Sequence, residues 1–215
     1  MLFEVWIRTH NNRLDSAFKL KGVCGDVFPN DPVHILDTGD VAKTYSEKFV
    51  MLLHRRVQIS NAQYILILED DMLVSPNVRE CWTGLLKGSH CWFSVPSQAA
   101  LDNSIKCSET HYRLEELQNF SYSGAVLISR DLLKGFVAHY LLNPQERDVP
   151  NFDVNLSAYI KRRVGHLTLC PGFFGSNTLL PSSIEGSIAQ LEFRSTVKLE
   201  ELDPLFDRYN SLLAL

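Results

Sequence analysis

The sequence lacks an apolar run close to the roughly 18 residues that a membrane-spanning helix needs. The stretch from Met1 to Arg8 is too short, and too soon followed by polar residues, to form the apolar core of a secretion signal. An excess of positive charge is also missing, because 21 Lys and Arg stand against 25 Asp and Glu. This balance disfavours binding driven by nucleic-acid phosphates. We expect a soluble, cytoplasmic protein.

Cysteine is scarce and shows no metal-binding or redox spacing. The chain has five cysteines, an odd number, and no two of them form a C-x-x-C pair. Most of them fall in segments with the composition of buried elements. We therefore expect reduced thiols and neither a disulfide framework nor a zinc site.

Apolar runs alternate with amphipathic segments along a chain of 215 residues, which predicts one α/β domain with a largely parallel sheet. The predicted strands are 2–7, 33–36, 64–68, 91–95, 125–128 and 166–170, and the predicted helices are 14–23, 41–59, 76–87, 130–142 and 152–163. Residues 99–119 are predicted to be a polar loop. After Pro171 the pattern weakens, so we expect residues 1–177 to form the main domain and residues 178–215 a loop and helical extension packed on it.

Three adjacent acids, Glu69, Asp70 and Asp71, follow the most apolar of these strands. Tyr64 to Leu68 is apolar on both faces, as in a central parallel strand covered by helices. Ligands collect at the carboxyl ends of such strands. Adjacent carboxylates repel one another unless a cation relieves them, and Mg²⁺ or Mn²⁺ bridging a diphosphate is the simplest candidate. The alternative is a strand end that carries solvated acids.

The run from Tyr64 to Asp71, with residues 72–76 after it, resembles the acidic D-x-D or E-D-D motif of GT-A glycosyltransferases. The resemblance extends over roughly residues 2–175. It implies a Rossmann-like GT-A sandwich, with a mostly parallel central sheet flanked by helices, as the catalytic domain. It also implies a nucleotide-sugar donor, with Asp71 as the ligand of Mn²⁺ or Mg²⁺. Glu69 and Asp70 would face the donor ribose and the waters of the metal.

The same resemblance implies further donor contacts in chain order. The polar loop after the first strand would wrap the nucleotide through Thr9, His10, Asn11 and Arg13. Asp37, after the second strand, would pair with the base, since a carboxylate accepting from a uracil N–H fixes base identity. A UDP-linked sugar is therefore the expected donor, although an Asx turn or a helix cap also explains Asp37. Gly124 would let the backbone approach the donor.

Asp153, at the start of a predicted helix, occupies the place of the family's catalytic acid. In inverting members that acid takes the proton from the acceptor hydroxyl. A helix N-terminus favours the ionised carboxylate, so Asp153 is the candidate base; simple complementation of the helix dipole is the alternative.

One departure from the family pattern concerns the segment 170–177, which contains no His where many members place a further metal ligand. His166 lies before the strand, so water or Asn177 would have to complete the coordination. A non-catalytic module that binds a nucleotide sugar or a partner protein therefore stays open. A nucleotidyltransferase is disfavoured, because the loop 8–13 has no Gly.

The acceptor is not fixed by the sequence. A glycan, a lipopolysaccharide precursor, a protein side chain and a modified nucleic-acid base all remain open, as does the oligomeric state. Two short basic runs, Arg55–Arg56 and Lys161–Arg163, are interpreted as charge compensation at helix C-termini. A patch for an anionic acceptor is the alternative.

Overall fold

A computed structural model describes residues 3–39, 45–75, 78, 91–94, 98–108, 111–116, 124–144, 152–170 and 174–176. Its strands are β1 (Phe3–Thr9), β2 (Val33–Asp37), β3 (Tyr64–Glu69), β4 (Met72–Val74), β5 (Cys91–Phe93), β6 (Ile105–Lys106), β7 (Tyr112–Leu114), β8 (Ala125–Ser129), β9 (Leu167–Leu169) and β10 (Phe174–Ser176). Its helices are α1 (Leu14–Val27), α2 (Tyr45–Ile59), α3 (Gln98–Asp102), α4 (Arg130–Leu142) and α5 (Phe152–Val164). The predicted extension 178–215 and most of the predicted helix 76–87 lie outside the described residues.

Eight strands form one sheet in the order β2-β1-β3-β8-β5-β9-β7-β6. Strands β1, β2, β3, β5, β6 and β9 run one way, and β7 and β8 run the other. The predicted α/β sandwich with a mostly parallel sheet is therefore confirmed. The antiparallel insertion of β8 beside β3 was not anticipated. It places the end of β8 at the same edge as the start of β3.

Both faces of this sheet are covered by helices. Successive residues of its central strands point to opposite faces, so each strand contributes to the packing on both sides. Leu66 and Leu68 of β3 pack with α1 residues such as Leu20, whereas Ile65 and Ile67 pack with the layer formed by α2, α4 and α5. The continuous apolar run of β3 is thus explained by burial on both sides. None of the described helices combines the length and apolarity that crossing a bilayer requires.

The structure corrects three details of the sequence prediction. Residues 99–119 are not simply a loop, because most of α3 and the whole β6–β7 hairpin lie within them. Strand β1 runs on to Thr9, so Arg8 and Thr9 belong to the strand, and one 3-10 turn at Asn11–Arg13 leads directly into α1. Strand β10 was not predicted either; it pairs antiparallel with β4 and brings Ser176 opposite Met72, the residue after the acidic triplet.

Candidate functional site

The candidate site lies where the parallel strands β1, β2 and β3 end together. The register places Arg8 opposite Glu69 and Thr9 opposite Asp37. The acidic triplet therefore meets the polar segment after β1 at one edge of the sheet, as ligand sites of open α/β sheets do.

Asp70 is the most deeply buried acid of the triplet, with 4% of its surface exposed. Its Oδ2 accepts a hydrogen bond from the Thr9 hydroxyl at 2.6 Å, and its Oδ1 lies 3.2 Å from Arg13 Nε. Burial raises the pKa of Asp70, while Arg13 and the Thr9 hydrogen bond oppose that rise. Thr9 and Arg13, both predicted as donor-binding residues, thus hold the acidic turn itself.

The carboxylate oxygens of Asp71 have fewer partners than those of Asp70. Its Oδ2 lies 3.3 Å from Arg13 Nη2, whereas its Oδ1 is buried and has no hydrogen-bond partner among the described residues. Burial, followed by the negative charge of Glu69, raises the pKa of Asp71 to about 7, although Arg13 acts in the opposite direction. Asp71 Oδ1 is therefore an acceptor atom with which a cation can pair.

Arg8 belongs to the candidate site, although the sequence analysis placed it only in the polar loop after the first strand and did not name it among the donor-binding residues. Its guanidinium forms an ion pair with Glu69, and its Nη1 lies 3.9 Å from Asp153 Oδ1. The same guanidinium lies over the rings of Phe49 and Phe152, at 5.1 and 5.7 Å from their centroids. Arg8 and Arg13 together supply much of the positive charge that the sequence argument assigned to a divalent cation.

Asp153 lies in the first turn of α5 and is almost fully buried. The α5 start is fixed from α2, because the Phe152 N–H donates to Ser46 Oγ at 3.1 Å. Arg8 bridges Asp153 to Glu69, so the candidate base and the acidic turn belong to one charged cluster. This position suits both a catalytic base and a carboxylate that complements the helix dipole.

The remaining nucleotide-side candidates lie on the same edge. His10 is buried, and this burial is the main reason that its pKa is lowered, which favours the neutral ring. The Asn11 side chain is exposed, and its backbone N–H donates to Gly39 O at 3.2 Å.

Asp37 is exposed and forms an Asx-type turn. Its Oδ1 accepts from the Gly39 N–H at 2.8 Å, and Gly39 has a φ of +74° that favours glycine. The structure therefore contains the turn that was the alternative explanation for Asp37. A base-pairing role for Asp37 remains a prediction.

Gly124 lies beside the acidic turn at the start of β8. Its carbonyl accepts a hydrogen bond from the Glu69 N–H at 2.8 Å. Gly124 thus reaches the candidate site through its backbone, and contact with a donor remains a prediction.

The donor set allows a metal with few protein ligands. Within the described ranges, no group of three His, Cys, Asp or Glu side chains could hold a metal ion. Mg²⁺ needs only one or two carboxylates when phosphate oxygens and waters supply the other positions. Asp71 fits that requirement through its unpartnered Oδ1. His166 precedes β9 and lies at the opposite edge, and Asn177 lies outside the described residues.

Comparisons with known proteins bear on the fold. No family model and no curated protein matches the sequence. Among solved structures, the chain is similar to an active-site mutant of LgtC, with 14% identity over 78% of this chain and 71% of that chain and a TM-score of 0.46. A glycosyltransferase involved in glycosylation of the PBCV-1 major capsid shows 10% identity, coverage of 76% and 77%, and a TM-score of 0.47.

Glucosyl-3-phosphoglycerate synthase from Mycobacterium tuberculosis, solved with Mn²⁺, UDP and glucosyl-3-phosphoglycerate, shows 13% identity, coverage of 76% of this chain and 66% of that chain, and a TM-score of 0.46. All three matches have TM-scores below 0.5 and identities below 15%. At these values the likeness does not extend to activity.

Proposed function

We propose that this protein is a glycosyltransferase that moves a sugar from a UDP-linked donor to an acceptor hydroxyl. In this proposal the enzyme uses Mn²⁺ or Mg²⁺, inverts the anomeric centre and employs Asp153 as the base. The observation that carries the proposal is the single charged cluster at the carboxyl ends of β1 and β3. In that cluster a buried carboxylate oxygen of Asp71 lacks a partner within the described structure.

The donor would be held by residues that already lie on this edge. Arg13 and the neutral His10 can donate hydrogen bonds to the ribose or to phosphate oxygens, and Asp37 can accept from a base N–H with the oxygen that does not bind Gly39. Asp71, with Asp70 behind it, would hold the metal. When bound, the metal would offset the negative charge that develops on the departing diphosphate.

Asp153 would perform the proton transfer. The acceptor oxygen forms a bond to the sugar C1, the bond from C1 to the diphosphate oxygen breaks, and the nucleoside diphosphate leaves with that electron pair. The hydroxyl proton goes to the Asp153 carboxylate. Arg8 lies 3.9 Å from Asp153 Oδ1 and holds this carboxylate at the site before the acceptor arrives.

A nucleotide-sugar-binding module without catalysis is the second candidate. It is favoured by the two arginines, because Arg8 and Arg13 already pair with Glu69, Asp70 and Asp71. The proposed glycosyltransferase needs a metal for donor binding and transfers the sugar. The binding module needs no metal and releases the nucleotide sugar unchanged.

Thermal unfolding of the full chain with Mn²⁺ and a panel of nucleotide sugars tests the proposal. A ligand at a hundred times its Kd stabilises the fold by about 2.7 kcal/mol, or roughly 5–11 °C for a chain of this size. Wild type is compared with Asp71→Asn and with the control Asp26→Asn, which changes an exposed side chain in the last turn of α1.

Stabilisation by a UDP sugar that requires Mn²⁺ and is lost only in Asp71→Asn supports metal-dependent donor binding. Slow metal-dependent hydrolysis of the same donor then supports catalysis. Stabilisation without metal, together with no hydrolysis, favours the binding module. If no nucleotide shifts the melting temperature of the wild type, the glycosyltransferase proposal is wrong.

A further inference from the structure

A second candidate site lies at the opposite edge of the sheet, about 20 Å from the acidic turn if β3 rises by roughly 3.3 Å per residue. A groove of about 650 Å³ opens there between the start of β3, the end of β8 and the helices α4 and α5. Its polar lining comprises Asn61, Gln63, Ser129, Arg130, Asp131 and Arg163. None of the residues assigned to the donor, the metal or the base borders it.

Two guanidinium groups dominate the charge of this groove. The Arg130 guanidinium is anchored, because its Nη1 donates to Ser60 O at 2.7 Å, and the backbone N–H of Arg130 donates to Gln63 O at 3.0 Å. Its Nε is buried without a hydrogen-bond partner in the described part of the chain. Asp131 Oδ1 lies 4.0 Å from that Nε and is so exposed that the pair contributes little attraction.

Arg163 provides the second charge from α5. Its guanidinium lies 5.5 Å from the centroid of the Tyr159 ring. Tyr159 is itself held against α4 at Gly135, where a Cβ atom would collide with the tyrosine hydroxyl. In the described structure Arg163 forms no ion pair with an acid. Its N–H groups are thus held near the groove with their charge uncompensated.

The remaining lining groups suit the same kind of ligand. Ser129 precedes α4 without forming a side-chain cap, so its hydroxyl stays available. The N-terminal dipole of α4 adds to the two guanidinium charges and does not replace them. Asn61 and Gln63 offer amide donors, while Tyr64 and Leu132 supply an apolar wall. The volume lies within the range typical of small-molecule sites.

We propose that this groove binds a small molecule carrying an oxyanion, of the phosphate type, between Arg130 and Arg163. The oxyanion would accept hydrogen bonds from both guanidinium groups and from Ser129, and the uncharged part of the molecule would lie along Tyr64. This site is separate from the donor site and does not depend on the glycosyltransferase proposal.

Titration of the full chain with inorganic phosphate and with glucose 1-phosphate tests this site, with sodium chloride at matched ionic strength as the salt control. The readout is the NMR signals of the arginine Nε–Hε groups and of the first-turn amides of α4. Arg163→Gln removes one guanidinium at an exposed position. Arg162→Gln is the matched control, because Arg162 is exposed on the same helix but contacts His139 at 3.0 Å.

The expected result is a saturable shift of the Arg130 and Arg163 signals with phosphate or glucose 1-phosphate. We expect Arg163→Gln to weaken binding about tenfold or more, as loss of a charged hydrogen bond does, and Arg162→Gln to leave it unchanged. Tighter binding of glucose 1-phosphate than of phosphate would show that the apolar wall takes part. The proposal is overturned if no signal saturates, if both variants weaken binding equally, or if the shifts are confined to Arg8 and Arg13.

Discussion

The β1–β3 strand pair has buried carboxylates at both ends, Glu4 at the start and the acidic triplet at the other end, and their hydrogen-bonding partners differ. At the start of β1, Glu4 accepts hydrogen bonds from Trp6 Nε1 and from Ser60 Oγ, both at 2.8 Å. Arg56 Nη2 lies 3.5 Å from the same carboxylate. After the end of β3, Asp71 Oδ1 is buried with no hydrogen-bond partner in the described ranges.

This difference is the basis on which Glu4 is interpreted as a structural carboxylate and Asp71 is proposed as a ligand-binding one. A buried acceptor left without a partner costs about 1–3 kcal/mol, so a fold that keeps one loses stability there. Glu4 avoids that cost with donors from β1 and from the segment before β3. Asp71 does not avoid it, and a ligand that supplies a cation would remove it. The contrast therefore supports the proposal that the Asp71 end binds a ligand and the Glu4 end stabilises the fold.

The largest effect is expected from Asp153→Asn, which tests whether the Asp71 end also performs chemistry. The amide keeps the size of the side chain but cannot take a proton. We expect kcat for transfer or donor hydrolysis to fall about 10²- to 10⁴-fold with the donor KM little changed, as for loss of a general base. Steady-state kinetics of Asp153→Asn and of the control Asp26→Asn measures this.

The alternative explanation for Asp153 gives a different result. A carboxylate that only complements the α5 dipole contributes about 0.3–1 kcal/mol of stability. Full activity of Asp153→Asn together with a small loss of stability would therefore place the base elsewhere.

A matched pair of carboxylate-to-amide changes tests the contrast directly. In Glu4→Gln the new amide N–H₂ faces donors from Trp6, Ser60 or Arg56, and we expect the free energy of unfolding to fall by about 3 kcal/mol. In Asp71→Asn we expect a loss below about 1 kcal/mol, or a gain, because a buried charge is removed. Urea unfolding of the two variants and the wild type measures both values. Equal losses would show that Asp71 is as structural as Glu4.

The sequence predicted those parts of the molecule that depend on local pattern. Helix α2 was expected from its apolar spacing, and the continuous apolar run of β3 indicated a central strand with both faces buried. The acidic triplet was located at the end of β3, with Glu69 as the last residue of the strand, because strand ends are visible as a change from apolar to polar residues.

The parts that were missed depend on pairing between distant segments. The antiparallel direction of β8 and the β6–β7 hairpin are set by neighbouring strands, which one sequence does not show. Arg8 was not named among the donor-binding residues for the same reason. Its role follows from the register that places it opposite Glu69, and not from any local signal in β1.

The hydrogen bond between Thr9 and Asp70 is one of the contacts that the register of β1 and β3 brings about. Thr9→Val removes the hydroxyl that donates to Asp70 Oδ2 at 2.6 Å and leaves a buried carboxylate with one donor fewer. We expect a loss of about 1.5 kcal/mol in the free energy of unfolding, with recovery in Thr9→Ser.

Thr38→Val is the matched control for this change. The Thr38 hydroxyl donates to Thr9 O at 2.9 Å, but that neutral carbonyl also accepts from the Thr38 N–H at 2.9 Å. We therefore expect a loss of only about 0.5 kcal/mol. A larger loss in Thr38→Val than in Thr9→Val would contradict the importance of the charged acceptor.

The smallest effect concerns pH at the Glu4 end. Burial, and then the charge of Arg56, lowers the pKa of His34 from its ordinary 6.5, with Lys21 acting in the same direction and Glu4 in the opposite one. The unfolded chain then binds more protons than the folded chain between the lowered pKa and 6.5. The contribution of neutral His34 to the free energy of unfolding is fully present above pH 6.5 and is lost as the pH falls below that value.

His34→Gln isolates this contribution, because the lowered pKa values of His10 and His166 act in the same direction and remain in the variant. We expect the free energy of unfolding of wild type to fall more steeply on acidification below pH 6.5 than that of His34→Gln. Urea unfolding at a series of pH values measures the difference in slope. Parallel slopes would mean that His34 has the same pKa in the folded and unfolded chains. The contacts of Glu4 with Trp6, Ser60 and Arg56 would then hold the start of β1 without any contribution from the imidazole.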